Sequence, residues 1–365
     1  MRERYRIFAT CDIGGEALQR LRDKGWDLEV YDKIDPPPRE VVMQKVKSGI
    51  HALITTLRDR IDDELLATGK AAGLRVVAQD AVGFDNIDRA AAGRHGIPFS
   101  HTADVLTDAT AEFAFLIMGA VARKLWPSEQ MVREQTWSTW HPYHPWLGDE
   151  VTGKTVAVIG TGRIGKSFIK RTVGFDMDVL CHHPANTDQK FVEGIRRVMQ
   201  VRYDEGLTAR KQSIDYVPLE DALARADFVS LHVALTRPGE AEEPTFHLMD
   251  ERRLKMMKPS AYLVNTSRGP VIDETALACA INEGWIAGAA LDEFEKEPLP
   301  ADSPLRKVDP LKLRLFHHFA SAARATRLSP DPDVGMAGRT VQAVIDVLEG
   351  KAPRTIPYIV NKEAF

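Results

Sequence analysis

At 365 residues the chain is long enough for two domains. Its composition, 44% hydrophobic and 27% charged, is that of an ordinary globular enzyme, and a net charge of −4 with a pI near 6.3 gives no basis for binding nucleic acid or an anionic membrane. Cys11, Cys181 and Cys279 are too few and too scattered for a disulfide framework or a metal site, no apolar run has membrane-spanning length, and no early segment has the order of a signal peptide, so the chain reads as cytoplasmic.

The chain then alternates strands and helices. Tyr5 to Ala9 reads as a strand, Glu16 to Lys24 as a helix and Leu28 to Tyr31 as a second strand, followed by a loop with Pro36, Pro37 and Pro38. Ala52 to Thr55 and Leu74 to Ala78 are further strands, with a helix around Asp62 to Lys70 between them. Such alternation favours a parallel, doubly wound sheet. From Asp108 to Trp126 runs a long helical pattern with Phe113, Phe115, Leu116, Ile117, Met118 and Val121. It is apolar on nearly every face, so it belongs in the core, at a domain junction or at a subunit interface. From Thr136 to Gly148, Trp137, Trp140 and Trp146 interleave with His141, Pro142, His144 and Pro145. This is a loop, either packed on its own chain or an arm reaching a partner or the active site; both readings stand.

The segment Thr155 to Gly165 joins a β-branched strand to Gly160, Gly162 and Gly165, with a helical pattern following at once. That is the dinucleotide fingerprint: a tight turn, a close approach of backbone amides to a pyrophosphate, and close packing of helix on strand. The second strand, Met177 to His182, should end in the acid that bonds the adenosine ribose of NAD. The residue there is His183, between His182 and Pro184, with neither a carboxylate nor an arginine beside it. The choice between NAD(H) and NADP(H) is therefore open. Thr187 to Tyr216, long and charged, reads as an inserted excursion. Strands follow at Phe228 to Val233, Tyr262 to Val264, Gly288 to Leu291 and Leu313 to Phe316. Arg268, Asp292, Glu297 and His318 all fall just past strand ends, where open parallel sheets bind their ligands.

At these residues the chain resembles the D-isomer-specific 2-hydroxyacid dehydrogenases. The matching segments are Val82 to Asp88, Val105 to Glu112, the fingerprint, Met257 to Asp273, the surroundings of Glu297, and His318 to Ala322. Within that family the excursion after the second strand and the arm with Trp137, Trp140 and Pro142 are most similar to NAD(P)H-dependent hydroxypyruvate and glyoxylate reductases. The resemblance implies that Arg268 grips the carboxylate and carbonyl of a 2-keto acid in a planar fork. It makes His318 the general acid/base and Glu297 the carboxylate that raises the pKa of His318. Amides of Ala81, Val82 and Gly83 would hold the substrate carboxylate, with Trp140 beside it. Gly160, Gly162, Arg163, Ile164 and Gly165 would bind the pyrophosphate, and Thr110, His183, Val233, Thr266 and Asp292 the rest of the cofactor. His317 stands where the family usually has proline, and Ala320-Ser321-Ala322 fixes His318 as the match.

The implied architecture is a flavodoxin-like substrate domain of residues 1–104 and 326–365, an inserted NAD(P)-binding Rossmann domain of residues 105–325, a cleft between them, and a homodimer. The implied reaction is reversible reduction of hydroxypyruvate or glyoxylate to D-glycerate or glycolate. The alternatives are a phosphoglycerate-type or other D-2-hydroxyacid dehydrogenase, or an NADH-sensing protein like the related co-repressors; Glu297 argues against formate chemistry. The chain departs from the family at His183, at Ala234 in place of a proline, and at Arg237 to Pro244, which adds residues. Asp80 is a further oddity, because a charge beside the substrate loop is unfavourable unless it points away.

Overall fold

The computed structural model describes residues 4–143, 147–183 and 187–365. His144, Pro145 and Trp146 of the aromatic loop, and Pro184, lie outside the described residues. The chain divides into two compact units, Met1–Leu106 with Ser321–Phe365, and Thr107–Ala320.

The first unit is built on five strands, β1 (Arg6–Ala9), β2 (Asp27–Val30), β3 (Ala52–Thr55), β4 (Val76–Gln79) and β5 (Phe99–Ser100). They are all parallel, in the order β2-β1-β3-β4-β5, which is the flavodoxin-like order. Parallel strands are buried on both faces, and their residues alternate between two cores. Ile7, Ala9, Ile54, Val76 and Ala78 face one core, completed by Val341, Val344 and Leu348 of the helix Met336–Leu348. Phe8, Leu53, Val77 and Phe99 face the other, against Val46, Leu65 and Leu66. Helices Arg39–Lys47 and Arg89–Arg94 are further crossovers that short, weakly periodic sequences did not announce.

The second unit carries seven parallel strands: β6 (Thr155–Ile159), β7 (Asp178–His182), β8 (Ile214–Tyr216), β9 (Phe228–Leu231), β10 (Tyr262–Asn265), β11 (Gly288–Leu291) and β12 (Leu313–Leu315). Their order, β12-β11-β10-β9-β6-β7-β8, reverses direction between β6 and β9, the switch point at which a doubly wound sheet opens a crevice. The segment read as an inserted excursion is part of this fold. It forms the helix Gln189–Asp204 and the edge strand β8, which pairs with β7. Val192, Met199 and Ile214 are buried. Charge misled because this helix covers the sheet with one narrow apolar stripe and exposes the rest.

The long apolar pattern is broken in two. The helix Thr107–Ala122 buries Ala111, Ala114, Met118 and Val121, then Lys124 turns the chain in a left-handed conformation (φ 53°) into the helix Leu125–Arg133. That second helix buries none of its residues, and Trp126, Trp137 and Trp140 are 57%, 59% and 77% exposed. The rings of Trp137 and Trp140 are therefore not packed on their own chain, although the loop's far end at Gly148 lies against the backbone of Ala122 and Arg123. No helix among the described residues is long and apolar enough to cross a membrane.

Candidate active site

Three loops at the carboxyl edge of the seven-stranded sheet assemble the charged cluster. The first leaves β10, where Asn265 organises the turn. Its Oδ1 accepts from the amide and hydroxyl of Ser267 at 3.0 and 2.8 Å, and its Nδ2 donates to the carbonyl of Arg268 at 2.9 Å. Gly269 locks this turn to the second loop, which leaves β11: a Cβ there would meet the Phe294 carbonyl carbon and oxygen at 1.8 and 2.0 Å. Only glycine allows that approach. The third loop, after β12, carries His318 at φ 57°, a conformation that costs a non-glycine residue ~1–3 kcal/mol unless its surroundings hold it. Asp292 holds it. Its carbonyl accepts from the His318 amide at 2.9 Å, and its two carboxylate oxygens accept from the amides of Phe319 and Ala320 at 2.6 and 2.7 Å. Burial shifts the Asp292 carboxyl upward, opposed by those two amides.

The structure thus brings Arg268, Glu297 and His318 together. Glu297 Oε2 lies 3.0 Å from His318 Nδ1. Burial by itself would lower the His318 pKa, but its hydrogen bond to Glu297 and the charges of Glu293 and Glu297 outweigh it, so the net shift is upward. For Glu297 burial pushes upward, and the bond and charge of His318 bring the net shift downward. Such a pair favours imidazolium and carboxylate together, leaving His318 Nε2 able to give up a proton near neutral pH.

Glu293 is the member of the cluster that sequence reasoning missed. It lies 2.9 Å from Arg268 Nη1 and 3.1 Å from His318 Nε2, and is 6% exposed. In the run Asp292-Glu293-Phe294-Glu295-Lys296-Glu297 nothing tells an inward acid from an outward one. Glu295, two residues on, caps the helix Glu274–Asn282 through the Glu274 amide and meets His247 Nε2 at 3.0 Å.

The fingerprint has the shape its glycines require. Gly160 adopts φ +97°, and a Cβ there would meet the His232 carbonyl at 2.6 Å. At Gly165 a Cβ would strike the Gly160 carbonyl oxygen at 2.0 Å, whereas at Gly162 it would enter open space. The helix Arg163–Thr172 therefore starts hard against the strand, with its positive end bare of side-chain caps among the described residues. Thr110 and Val233 are buried. At the ends of β9 and β10, His232 Nδ1 and Thr266 Oγ1 are buried with no partner among the described residues. Open space at Gly162 and unsatisfied polar atoms at the same edge are what a bound dinucleotide would complete.

Around His183 the structure supplies both charges that the strand tip lacked. Lys166, one turn into the fingerprint helix, pairs with Asp188, whose other oxygen caps the helix Gln189–Asp204 through the Phe191 amide at 3.0 Å. Burial, then the charges of His182 and Lys166, lower the His183 pKa. The only sequence signal was the position of Lys166 on the first turn of that helix.

In the first unit, the loop after β4 turns its carbonyls inward. Ala81 accepts from the Thr102 amide at 2.8 Å, Gly83 from Gln79 Nε2 at 3.2 Å, and the Val82 carbonyl lies 3.1 Å from His101 Nδ1. Gln79 also donates to Asn86, which in turn holds the carbonyls of Thr56 and Asp59. The amides of Ala81, Val82 and Gly83 find no acceptor among the described residues. Asp80 points away from them, accepting from Thr340 Oγ1 at 2.9 Å, and burial pushes its carboxyl up to about 7. That accounts for an acid beside this loop of unpaired amides.

Residues 115–314 match the model of the D-isomer specific 2-hydroxyacid dehydrogenase NAD binding domain. A glyoxylate reductase of Korarchaeum cryptofilum is 39% identical over 359 residues, covering 98% of this chain and 96% of that one. Another, of Aeropyrum pernix, is 39% identical over 365 residues and covers 99% and 97%. Among solved structures, a protein of Thermus thermophilus superposes with a TM-score of 0.81 at 34% identity, over 97% of this chain and 99% of its own.

Proposed function

The chain belongs to the D-isomer-specific 2-hydroxyacid dehydrogenases, and from that premise we propose that it reduces glyoxylate or hydroxypyruvate to glycolate or D-glycerate. The observation that carries this reading is His318, paired through Nδ1 with Glu297 and presenting Nε2 beside Arg268. When bound at the fingerprint, a reduced nicotinamide supplies hydride to the keto carbon. Arg268 then holds the substrate's coplanar oxygens, His318 Nε2 gives its proton to the keto oxygen, and Glu297 steadies the imidazole through the transfer. The amides of Ala81, Val82 and Gly83 receive the substrate carboxylate, a use supported by their inward carbonyls and unpaired N–H groups.

Cofactor choice rests with Lys166 and Asp188. The lysine favours a 2′-phosphate, and the carboxylate favours ribose hydroxyls. The exposed rings of Trp126, Trp137 and Trp140 support a homodimer covering this surface, with Trp140 brought to the substrate by that contact. The test follows absorbance of NADH and NADPH with each keto acid. Oxidation of either cofactor supports the reading. No oxidation with these or other 2-keto acids would falsify it and leave an NADH-sensing role.

A further inference from the structure

Both groups that the reaction needs touch a single atom. Oε1 of Glu293 is 2.9 Å from Arg268 Nη1 and 3.1 Å from His318 Nε2. The other imidazole nitrogen is engaged with Glu297, so Nε2 is the one that must face a substrate. A carbonyl oxygen about to receive its proton has to lie within hydrogen-bond reach of Nε2 and of Arg268. Glu293 Oε1 fills that position. The backbone beside the acid is seated on the turn at Gly269, where the Phe294 carbonyl leaves no room for a Cβ. Any exit is by rotation of the Glu293 side chain.

We propose that Glu293 is a built-in competitor of the substrate: its carboxylate fills the keto-oxygen position between Arg268 and His318, and a 2-keto acid binds by displacing it. This inference rests on the reductase reading for its substrate, although not for its geometry. The residue thereby sets affinity and selectivity. A ligand must offer Arg268 and His318 a better pair of oxygens than one carboxylate does, which a planar 2-keto acid provides and a simple monocarboxylate does not. Apparent affinity falls by the fraction of molecules whose Glu293 has swung aside, so an open fraction of about one in ten weakens binding about tenfold.

The competitor is also sensitive to pH. Arg268, His318, Glu297 and Asp292 face Glu293, and burial pushes its carboxyl up to about 7 against the pull of Arg268 and His318. Above that pH the carboxylate grips the two cations and substrate affinity falls; below it the neutral acid lets go more readily.

The test compares the wild type with Glu293→Gln, which keeps the shape and removes the charge, and with Glu293→Ala. Oxalate, a planar anion that cannot be reduced, is titrated calorimetrically into each at pH 7.5 without cofactor, alongside KM and kcat for glyoxylate with NADH. The expected result is oxalate binding and KM tighter by about tenfold in both variants, with kcat held within a few-fold. NMR titration of His318 should show a lower pKa in Glu293→Gln, because a raising charge is gone. Oxalate bound equally or more weakly by the variants overturns the proposal, and so does a collapse of kcat. If the wild type reduces no 2-keto acid, the reductase reading fails, while the oxalate comparison still decides whether Glu293 occupies the anion position.

Discussion

The loop after β4 and the loops after β10 and β11 both end parallel strands, yet they expose opposite kinds of group. The first presents backbone amides of Ala81, Val82 and Gly83, braced from behind by Gln79, Asn86 and His101. The others present side chains, Arg268 after β10 and Glu293 and Glu297 after β11, joined by His318 from the loop after β12. Backbone donors carry no proton that titrates and survive every substitution but proline, so they suit holding an anion of fixed charge. Side chains change charge with pH and with each other, so they suit proton transfer. One region is vulnerable mainly through its supports, the other directly.

The largest effect separates chemistry from binding. His318→Ala or Arg268→Ala should cut turnover by ~10²–10⁴ while NADH binding, read by fluorescence, stays intact. Near-normal rates in either would remove the side-chain cluster from the reaction. Next comes the backbone region. Gln79→Ala strips the Gly83 carbonyl and Asn86 of a buried partner, so stability in urea should drop by ~1–3 kcal/mol and KM should rise with kcat nearly unchanged. An unmoved KM would mean that the loop does not hold the substrate.

A pH profile sharpens the contrast further. Because the His318 pKa is raised, the protonated donor persists above the range of a free imidazole, and reduction declines only as pH rises through that raised value. Glu297→Gln removes the partner, so the declining limb should move to lower pH, whereas in Gln79→Ala it should stay in place. A Glu297→Gln profile that matched the wild type would refute the pairing. The smallest effect is at the cofactor's far end. Asp188→Asn should raise the NADPH-to-NADH rate ratio a few-fold and Lys166→Met should lower it, since this pair is partly exposed and screened.

Much of this was legible in residues. The fingerprint glycines, Arg268, Glu297 and His318 stand at strand ends, and strand–turn–helix spacing alone places them on one edge. Period and β-branching gave four strands of the first sheet and six of the second, because parallel strands are apolar on both faces; the short edge strands β5 and β8 escaped. What was not legible depends on direction. The inward turn of Glu293 among three neighbouring acids follows from a loop conformation, and the Lys166–Asp188 pair joins residues separated by an entire strand. The crossover Gln189–Asp204 hid because its buried stripe is narrow. The break at Lys124 hid because a lysine in a left-handed turn carries no sequence mark.

The first unit is assembled from both ends of the chain, with Val341, Val344 and Leu348 completing the core around Ile7, Ile54 and Val76. During synthesis the first hundred or so residues leave the ribosome long before that last helix exists, while Thr107–Ala320 is contiguous and can close as soon as it is made. The earliest-made sheet is therefore the last to be sealed. Until Met336–Leu348 is made it waits with that apolar face only partly covered, and chaperone demand should fall on this sheet rather than on the nucleotide unit.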